Sequence, residues 1–251
     1  LSFYSKEASM SLYEGKTRIN YYDLDYRGQL KLSALLKMVH IAAEHNINDL
    51  NLGYNVLHPL NMSFVVQRFG LAAHKMPTHG QEVTIRTWPA EISRGTFIRK
   101  GDMYATSGEK LMEWASLWVL FDIAARKVLK PSALPAQLPP FTEIDVSVQP
   151  EKVNLPENFG HEFSRHVHTA RYADIDTNLH MNNSIYGDLI GNALYPLTGE
   201  PAPTITRLQL NFLRETQPGE QITITARQEN GIYLIKGESP GKVAFLARVE
   251  S

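Results

Sequence analysis

The string Asp174-Ile175-Asp176-Thr177-Asn178-Leu179-His180-Met181-Asn182-Asn183 spaces polar side chains at alternate positions directly before a helix-like stretch. A histidine supplies general acid or base chemistry near neutral pH, a carboxylate can orient it or attack, and an amide can hold a carbonyl or a water. Amide N–H groups at the start of the following helix can stabilise an oxyanion. Glu215, in Phe212-Leu213-Arg214-Glu215-Thr216, adds a carboxylate at the end of the next strand. The competing reading of the string is a turn rich in Asx residues that caps the helix, with Glu215 facing solvent or paired with Arg214.

The elements that must position these groups occur twice. Asn20-Tyr21-Tyr22-Asp23-Leu24-Asp25 resembles Arg171-Tyr172-Ala173-Asp174-Ile175-Asp176. The first copy continues as Tyr26-Arg27-Gly28-Gln29, so it keeps both aspartates but sets Arg27 and Gln29 opposite Asn178 and His180. Met76 stands opposite Glu215. Each string leads into a helix-period pattern, Leu32, Leu35, Leu36, Val39, Ala42, Ala43 and Ile47 in one case, Ile185, Tyr186, Leu189, Ile190, Ala193 and Leu194 in the other. Ser33 and either Asn182 or Asn183 read as their N-caps.

After each helix the period changes to two. Strands read at 63–69, 83–85, 96–105 and 112–122, then at 204–212, 222–224, 232–236 and 243–249. Each half is therefore one central helix packed on a curved antiparallel sheet, an α+β arrangement. The order of elements matches a hotdog fold, and the repeat predicts a tandem double hotdog. The halves are 1–130 and 157–251, joined by a linker over 131–156 that carries Pro131, Pro135, Pro139, Pro140 and Pro150.

Composition narrows the chemistry. The chain has 251 residues, 25 Lys+Arg against 26 Asp+Glu, and no cysteine. Near-neutral charge argues against non-specific nucleic-acid binding. Without cysteine there is no disulfide, zinc-thiolate site, iron–sulfur cluster or thiol nucleophile. His166 and His168 share a strand face but have no third ligand nearby, so no metal is expected. His45 and Glu44 read as solvated helix residues, and 237–243 falls short of a phosphate loop. No apolar run reaches the length of a membrane span. Leu1–Met10 does not read as a secretory leader, which makes the cytoplasm the expected location.

Asp176-x-Asn178-x-His180-x-Asn182-Asn183, followed by a helix and then Arg214-Glu215, resembles the catalytic segment of the acyl-ACP thioesterases of plants and bacteria, and Tyr21–Asp25 with its helix resembles their N-terminal repeat. The resemblance runs over nearly the whole chain. It implies two hotdog repeats, the first shaping an acyl pocket and the second catalytic. It carries the family's Asp, Asn, His and Glu onto Asp176, Asn178, His180 and Glu215, with no cofactor. Plant members have a Cys directly after the Glu; Thr216 stands there, so a thiol mechanism is not open to this chain.

The implied reaction is hydrolysis of fatty acyl-acyl carrier protein to free fatty acid and holo-carrier, by water attack or through a transient Asp176 anhydride. Hydrolysis of acyl-CoA, dehydration of a hydroxyacyl thioester, and non-catalytic acyl-thioester binding are the rivals. Leu35, Val39 and Ala43 are candidate pocket residues. Arg94, Arg99, Lys100, Arg171, Arg207 and Arg214 are candidates for a basic patch facing the acidic carrier. A monomer suffices, since the tandem repeat supplies its own partner, and a homodimer stays open.

Overall fold

Alternation builds the strands: along Gln221–Glu229, Ile222, Ile224 and Ala226 are buried while the residues between them are not. The computed structural model describes residues 11–159, 164–198 and 204–251. It contains strands β1 (Tyr13–Arg18), β2 (Met62–Ala73), β3 (Glu82–Ser93), β4 (Thr96–Ala105), β5 (Lys110–Asp122), β6 (Lys127–Leu129), β7 (Ser164–Thr169), β8 (Arg207–Phe212), β9 (Gln221–Glu229), β10 (Ile232–Ser239) and β11 (Lys242–Glu250). Helices α1 (Leu32–Asp49), α2 (Tyr54–Leu57) and α3 (Ile185–Thr198) complete it, with short 3-10 turns at Tyr21–Asp23 and Tyr172–Asp174 before the two long helices. The sequence pattern gives ranges for eight of these strands, underestimating the length of several, and sets His166 and His168 on a strand where β7 runs; it gives no range for β1 or β6.

All eleven strands lie in one antiparallel sheet, ordered β1-β3-β4-β5-β2-β8-β11-β10-β9-β7 with β6 on β5. The order is a palindrome: β1, β3, β4, β5 and β2 in the first half answer to β7, β9, β10, β11 and β8 in the second. The halves join where β2 pairs with β8, from Arg68 opposite Asn211 to Ala72 opposite Arg207. That pairing uses the edge each half would otherwise expose. The result is the tandem double hotdog, with α1 and α3 side by side on one face.

The apolar stripe of α1 (Leu32, Leu35, Leu36, Val39, Ala42, Ala43) is buried, as are Tyr186, Leu189, Ile190, Ala193 and Leu194 of α3. The helices touch where Gly187 meets the backbone of Ser33; a Cβ there would fall 2.5 Å from the Ser33 nitrogen. Ser33 is therefore not the cap of α1. The N-cap is Lys31, without a side-chain bond, and the Ser33 hydroxyl donates instead to Asp188 Oδ1 across the helix pair.

The segment after β6 is an ordered strap on the opposite face of the sheet. Phe141, Val146 and Val148 pack on Ala72, Trp88 and Ala115. Two amides of β8 hold its backbone: Gln209 Nε2 donates to Gln149 O (2.9 Å) and Asn211 Nδ2 to Glu151 O (2.9 Å). In return Glu151 N donates to Gln209 Oε1 (2.8 Å) and Val153 N to Asn211 Oδ1 (2.7 Å). Among the described residues no helix is long and apolar enough to cross a membrane.

Candidate active site

The string 174–183 folds as a tight hairpin ahead of α3. Ile175 bridges Met181, Asp176 N donates to His180 O (3.0 Å), and Leu179 N donates to Asp176 O (3.0 Å). Leu179 sits at the tip with φ +64°, in the left-handed region. Asp174 anchors the base: its Oδ2 receives Arg171 N (2.9 Å) and lies 3.0 Å from His168 Nε2. Neither Asn182 nor Asn183 is the residue next to α3. Asn182 Oδ1 instead receives both the amide (2.9 Å) and the hydroxyl (2.7 Å) of Ser184, which precedes the helix.

Within this hairpin three of the expected site residues come together. Asp176 Oδ1 receives the Asn178 amide (2.9 Å) and lies 3.9 Å from His180 Nδ1; Asp176 Oδ2 receives Asn182 Nδ2 (3.4 Å). His180 Nδ1 is 3.2 Å from the Met181 carbonyl, an acceptor only, so the neutral ring carries its proton there and leaves Nε2 as a base. Asp176 and His180 are each about one-fifth exposed, while Asn178 is exposed.

The hairpin opens on a cavity of about 670 Å³, within the usual range for small-molecule sites. Asp176, Thr177, Asn178, Asn182 and Asn183 line one part. The remainder comes from the other half: His40, Ala43 and Ile47 of α1, residues 52–58, the start of β2, Phe97 to Arg99 of β4, and Trp118 of β5. Leu138 of the strap also contributes. Ala43 is thus a lining residue, whereas Leu35 and Val39 point into the main core. Sequence reasoning missed His40 and Arg99 as lining groups, because nothing local says which helix faces the hairpin of the other half.

Glu215 is not hydrogen-bonded to the hairpin side chains. Its Oε2 receives Arg126 Nη2 (3.0 Å) and Gln217 Nε2 (3.2 Å). Arg126 belongs to the β5–β6 turn, so the partner is not Arg214, the pairing that the competing reading offered. Arg214 donates to both carboxylate oxygens of Glu220 and to Ser239 Oγ. The segment does lie beside the hairpin, since Met181 N donates to Thr216 O (2.8 Å). Thr216 is fully buried with its hydroxyl 3.0 Å from Tyr186 Oη, which places it in the core rather than in the cavity.

One other expectation changes and one holds. Arg99 is buried, Lys100 pairs with Asp145 and Arg214 pairs with Glu220, so these three are not open cations for a basic patch. His45 is exposed and stacks on Tyr13 at 5.5 Å, while Glu44 borders the cavity. Among the described residues no cluster of His, Cys, Asp or Glu is arranged to hold a metal.

Comparison with known proteins bears on the same geometry. The acyl-ACP thioesterase N-terminal domain matches residues 10–132 and the acyl-ACP thioesterase C-terminal domain matches residues 158–244. The chain is 25% identical over 131 residues to the chloroplastic palmitoyl-acyl carrier protein thioesterase of Arabidopsis thaliana, covering 50% of this chain and 32% of that protein. It is 26% identical over 137 residues to the chloroplastic dodecanoyl-[acyl-carrier-protein] hydrolase of Cinnamomum camphora, covering 52% and 35%. The matches thus span about a third of the length of these curated relatives.

Two solved structures share the fold. The 12:0-ACP thioesterase of Umbellularia californica superposes with a TM-score of 0.86 at 18% identity, covering 98% of each chain. The acyl-ACP thioesterase of Bacteroides thetaiotaomicron superposes with 0.82 at 19% identity, covering 95% of this chain and 97% of that one. With its two family domains matched in order over most of its length, the chain belongs to the acyl-ACP thioesterase family.

Proposed function

We propose that the protein hydrolyses fatty acyl thioesters of acyl carrier protein, releasing the free fatty acid and the holo-carrier. The observation that carries this is the cavity in which Asp176 and Asn178 of one half meet the Ala43, Ile47, Phe64 and Phe97 wall of the other. In this reading residues 1–130 shape the acyl pocket, 157–251 carry the chemistry and 131–156 tie them together. The acidic carrier docks outside the cavity, the enzyme acts in the cytoplasm, and a monomer is complete, with a homodimer an open alternative.

A thioester needs no Lewis acid: its carbonyl is electrophilic and its thiolate leaves readily. The protein must deliver an activated water and hold the developing oxyanion. His180 Nε2 takes the proton of the water as its oxygen bonds to the acyl carbon. The C–S bond then breaks and the proton passes to the departing thiolate. Asp176 orients the hairpin, and Asn178 binds the water or the carbonyl oxygen. Glu215, held by Arg126, is assigned with His180 to activating and positioning the water.

The alternative route has Asp176 attack directly, forming an anhydride that water then opens. A single turnover in oxygen-18 water with a parallel hydroxylamine trap separates them: label or hydroxamate at Asp176 reports the anhydride, and label in the fatty acid with no modification at Asp176 reports water attack. The reading as a whole is tested by following free thiol from acyl-carrier and acyl-CoA substrates of equal chain length. Faster release from the carrier is the expected result. Faster release from CoA would replace the carrier in the proposal, and release from neither would overturn hydrolysis.

A further inference from the structure

Among the described residues, the carboxylates withdrawn from water are matched by cations, whereas Arg99 is not matched by a carboxylate. Asp102 is fully buried and receives two bonds from Arg86, at 2.8 and 2.7 Å; Glu113 is matched by Lys110 at 2.9 Å. Arg99 is only 6% exposed, in the middle of β4 opposite Pro89 of β3 and Ser116 of β5. Its Nη1 donates to Asn46 Oδ1 (2.8 Å) and Thr87 Oγ1 (3.3 Å), both neutral. Among the described residues it has no carboxylate partner. Glu44, which borders the same cavity, does not reach it. Burial pushes its guanidinium down to about 9. A desolvated cation with neutral partners alone is costly, and an acceptor oxygen supplied from outside offsets that cost.

A second group in the cavity has the same deficit. His40, on α1, turns its ring edge to Trp118 at 5.7 Å, and its Nε2 is shut off from solvent without a hydrogen-bond partner. Burial alone pushes it down to about 4, so the ring is neutral at physiological pH. Trp118 spends its own N–H on Ser116 Oγ (2.7 Å), next to Arg99 across the ladder, and so does not donate to His40 Nε2. A plain hydrocarbon chain in this cavity gives Arg99 no counter-charge and leaves His40 Nε2 without a partner.

We infer that the cavity selects acyl groups bearing an oxygen on the chain (oxo, hydroxyl or carboxylate), received by Arg99 and His40. The inference rests on the thioesterase reading and names its substrate class. The shared chemistry is an acceptor oxygen; a carboxylate additionally balances the charge of Arg99, and a hydroxyl can donate to His40 Nε2.

Thiol release from carrier thioesters of dodecanoyl, 3-oxododecanoyl, 12-hydroxydodecanoyl and 11-carboxyundecanoyl groups tests it. In the wild type at least one oxygenated chain should exceed dodecanoyl in kcat/KM by about tenfold, as a hydrogen bond to a charged group allows. Which chain wins says where the oxygen is read and whether charge is required. In Arg99→Met the ratio should fall toward one, whatever the absolute rate. Dodecanoyl matching or exceeding every oxygenated chain in the wild type overturns the inference, as does a ratio unchanged in Arg99→Met. If Arg99→Met does not fold, the wild-type ratio decides. A binding readout keeps the two levels separate: dodecanedioate or 12-hydroxydodecanoate should raise the wild-type Tm more than dodecanoate does. That result with no thiol release would sink the hydrolase reading and leave the selectivity standing; dodecanoate raising it most would sink the selectivity.

Discussion

Asp25 and Asp176 occupy equivalent places in the two halves, and the backbone treats them alike. Each donates its amide to the residue four further on, Gln29 O at 2.8 Å and His180 O at 3.0 Å. Each accepts an amide two residues on, from Arg27 and Asn178, both at 2.9 Å. Gly28 and Leu179 take the same left-handed tip, with φ +76° and +64°. Each hairpin faces the helix of the opposite half. The second-half hairpin meets α1 over the cavity of about 670 Å³, and the first-half hairpin meets α3 over one of about 440 Å³.

What differs is who else reaches the aspartate. Arg27 folds back on Asp25 with Nε at 3.2 Å and Nη2 at 2.9 Å, and Gln29 Nε2 reaches Thr204 Oγ1 at 2.8 Å. The first-half carboxylate is therefore closed by a cation, and the position of Glu215 is taken by Met76, which lines the smaller cavity. The fold offers two equivalent hairpins, and side chains at three or four positions set them apart.

The sharpest way to break this comparison is to neutralise each aspartate in turn. Asp176→Asn should lower kcat by about 10²–10⁴, the range for losing a group in acid–base catalysis. Asp25→Asn should leave kcat within about threefold and reduce stability by about 1 kcal/mol through its pair with Arg27. Steady-state thiol release and urea unfolding of both variants check the pair of outcomes. Equal losses of activity would mean that the two hairpins act together.

Much of this was legible in the sequence. The repeated Asp-x-Asp strings, two helix periods and strand order were enough for a double hotdog, because each is a local pattern. The hairpin geometry was legible too, since Asp176, Asn178 and His180 lie within five residues and a single turn brings them together. The cavity was not. Its composition depends on β2 pairing with β8, which turns α1 toward the hairpin of the other half, and no local periodicity encodes that register. Arg99 shows the consequence: residue type suggested a surface patch, but its place in the central strand β4 buries it. Glu215 similarly found Arg126, a residue far along the chain in a turn that the strand pattern did not reveal.

A second asymmetry lies behind the hairpins and responds to acid. Arg214 and Glu220 flank the turn before β9, where the first half has Lys75 and Gln81. Burial alone would push the Glu220 carboxyl up, but bonds from Arg214, the Gln217 amide and Ser239 hold it down at about 2. A carboxyl whose folded pKa lies below its unfolded value stabilises fully above the unfolded pKa and loses that contribution as pH falls through the folded one. The window here runs from about 4.5 down to about 2. With solvent screening at a partly exposed pair, the contribution is about 1 kcal/mol. Glu220→Gln should therefore be less stable than wild type at pH 7 and converge with it toward pH 2, as chemical unfolding across that range would record. A parallel offset at all pH values would assign the loss to packing instead.

The smallest expected effect concerns the hairpin tips. Leu179 is 72% exposed, so its left-handed φ is not repaid by burial. For an L-residue that conformation costs about 1–2 kcal/mol. Glycine removes this strain but loses about 0.5–1 kcal/mol more conformational entropy on folding. Leu179→Gly should then gain about 0.5 kcal/mol, and Gly28→Ala should lose a similar amount, both measured by thermal unfolding. The activity outcome should run the other way. Leu179 separates Asn178 from His180, and a glycine there frees the backbone between them, so kcat should fall about two- to fivefold as misplaced geometry replaces a held one. Gly28→Ala should leave kcat unchanged, because nothing on that hairpin needs to be aimed. Higher stability with lower turnover at one tip, and lower stability with unchanged turnover at the other, would show that the strained leucine serves the reactive hairpin alone.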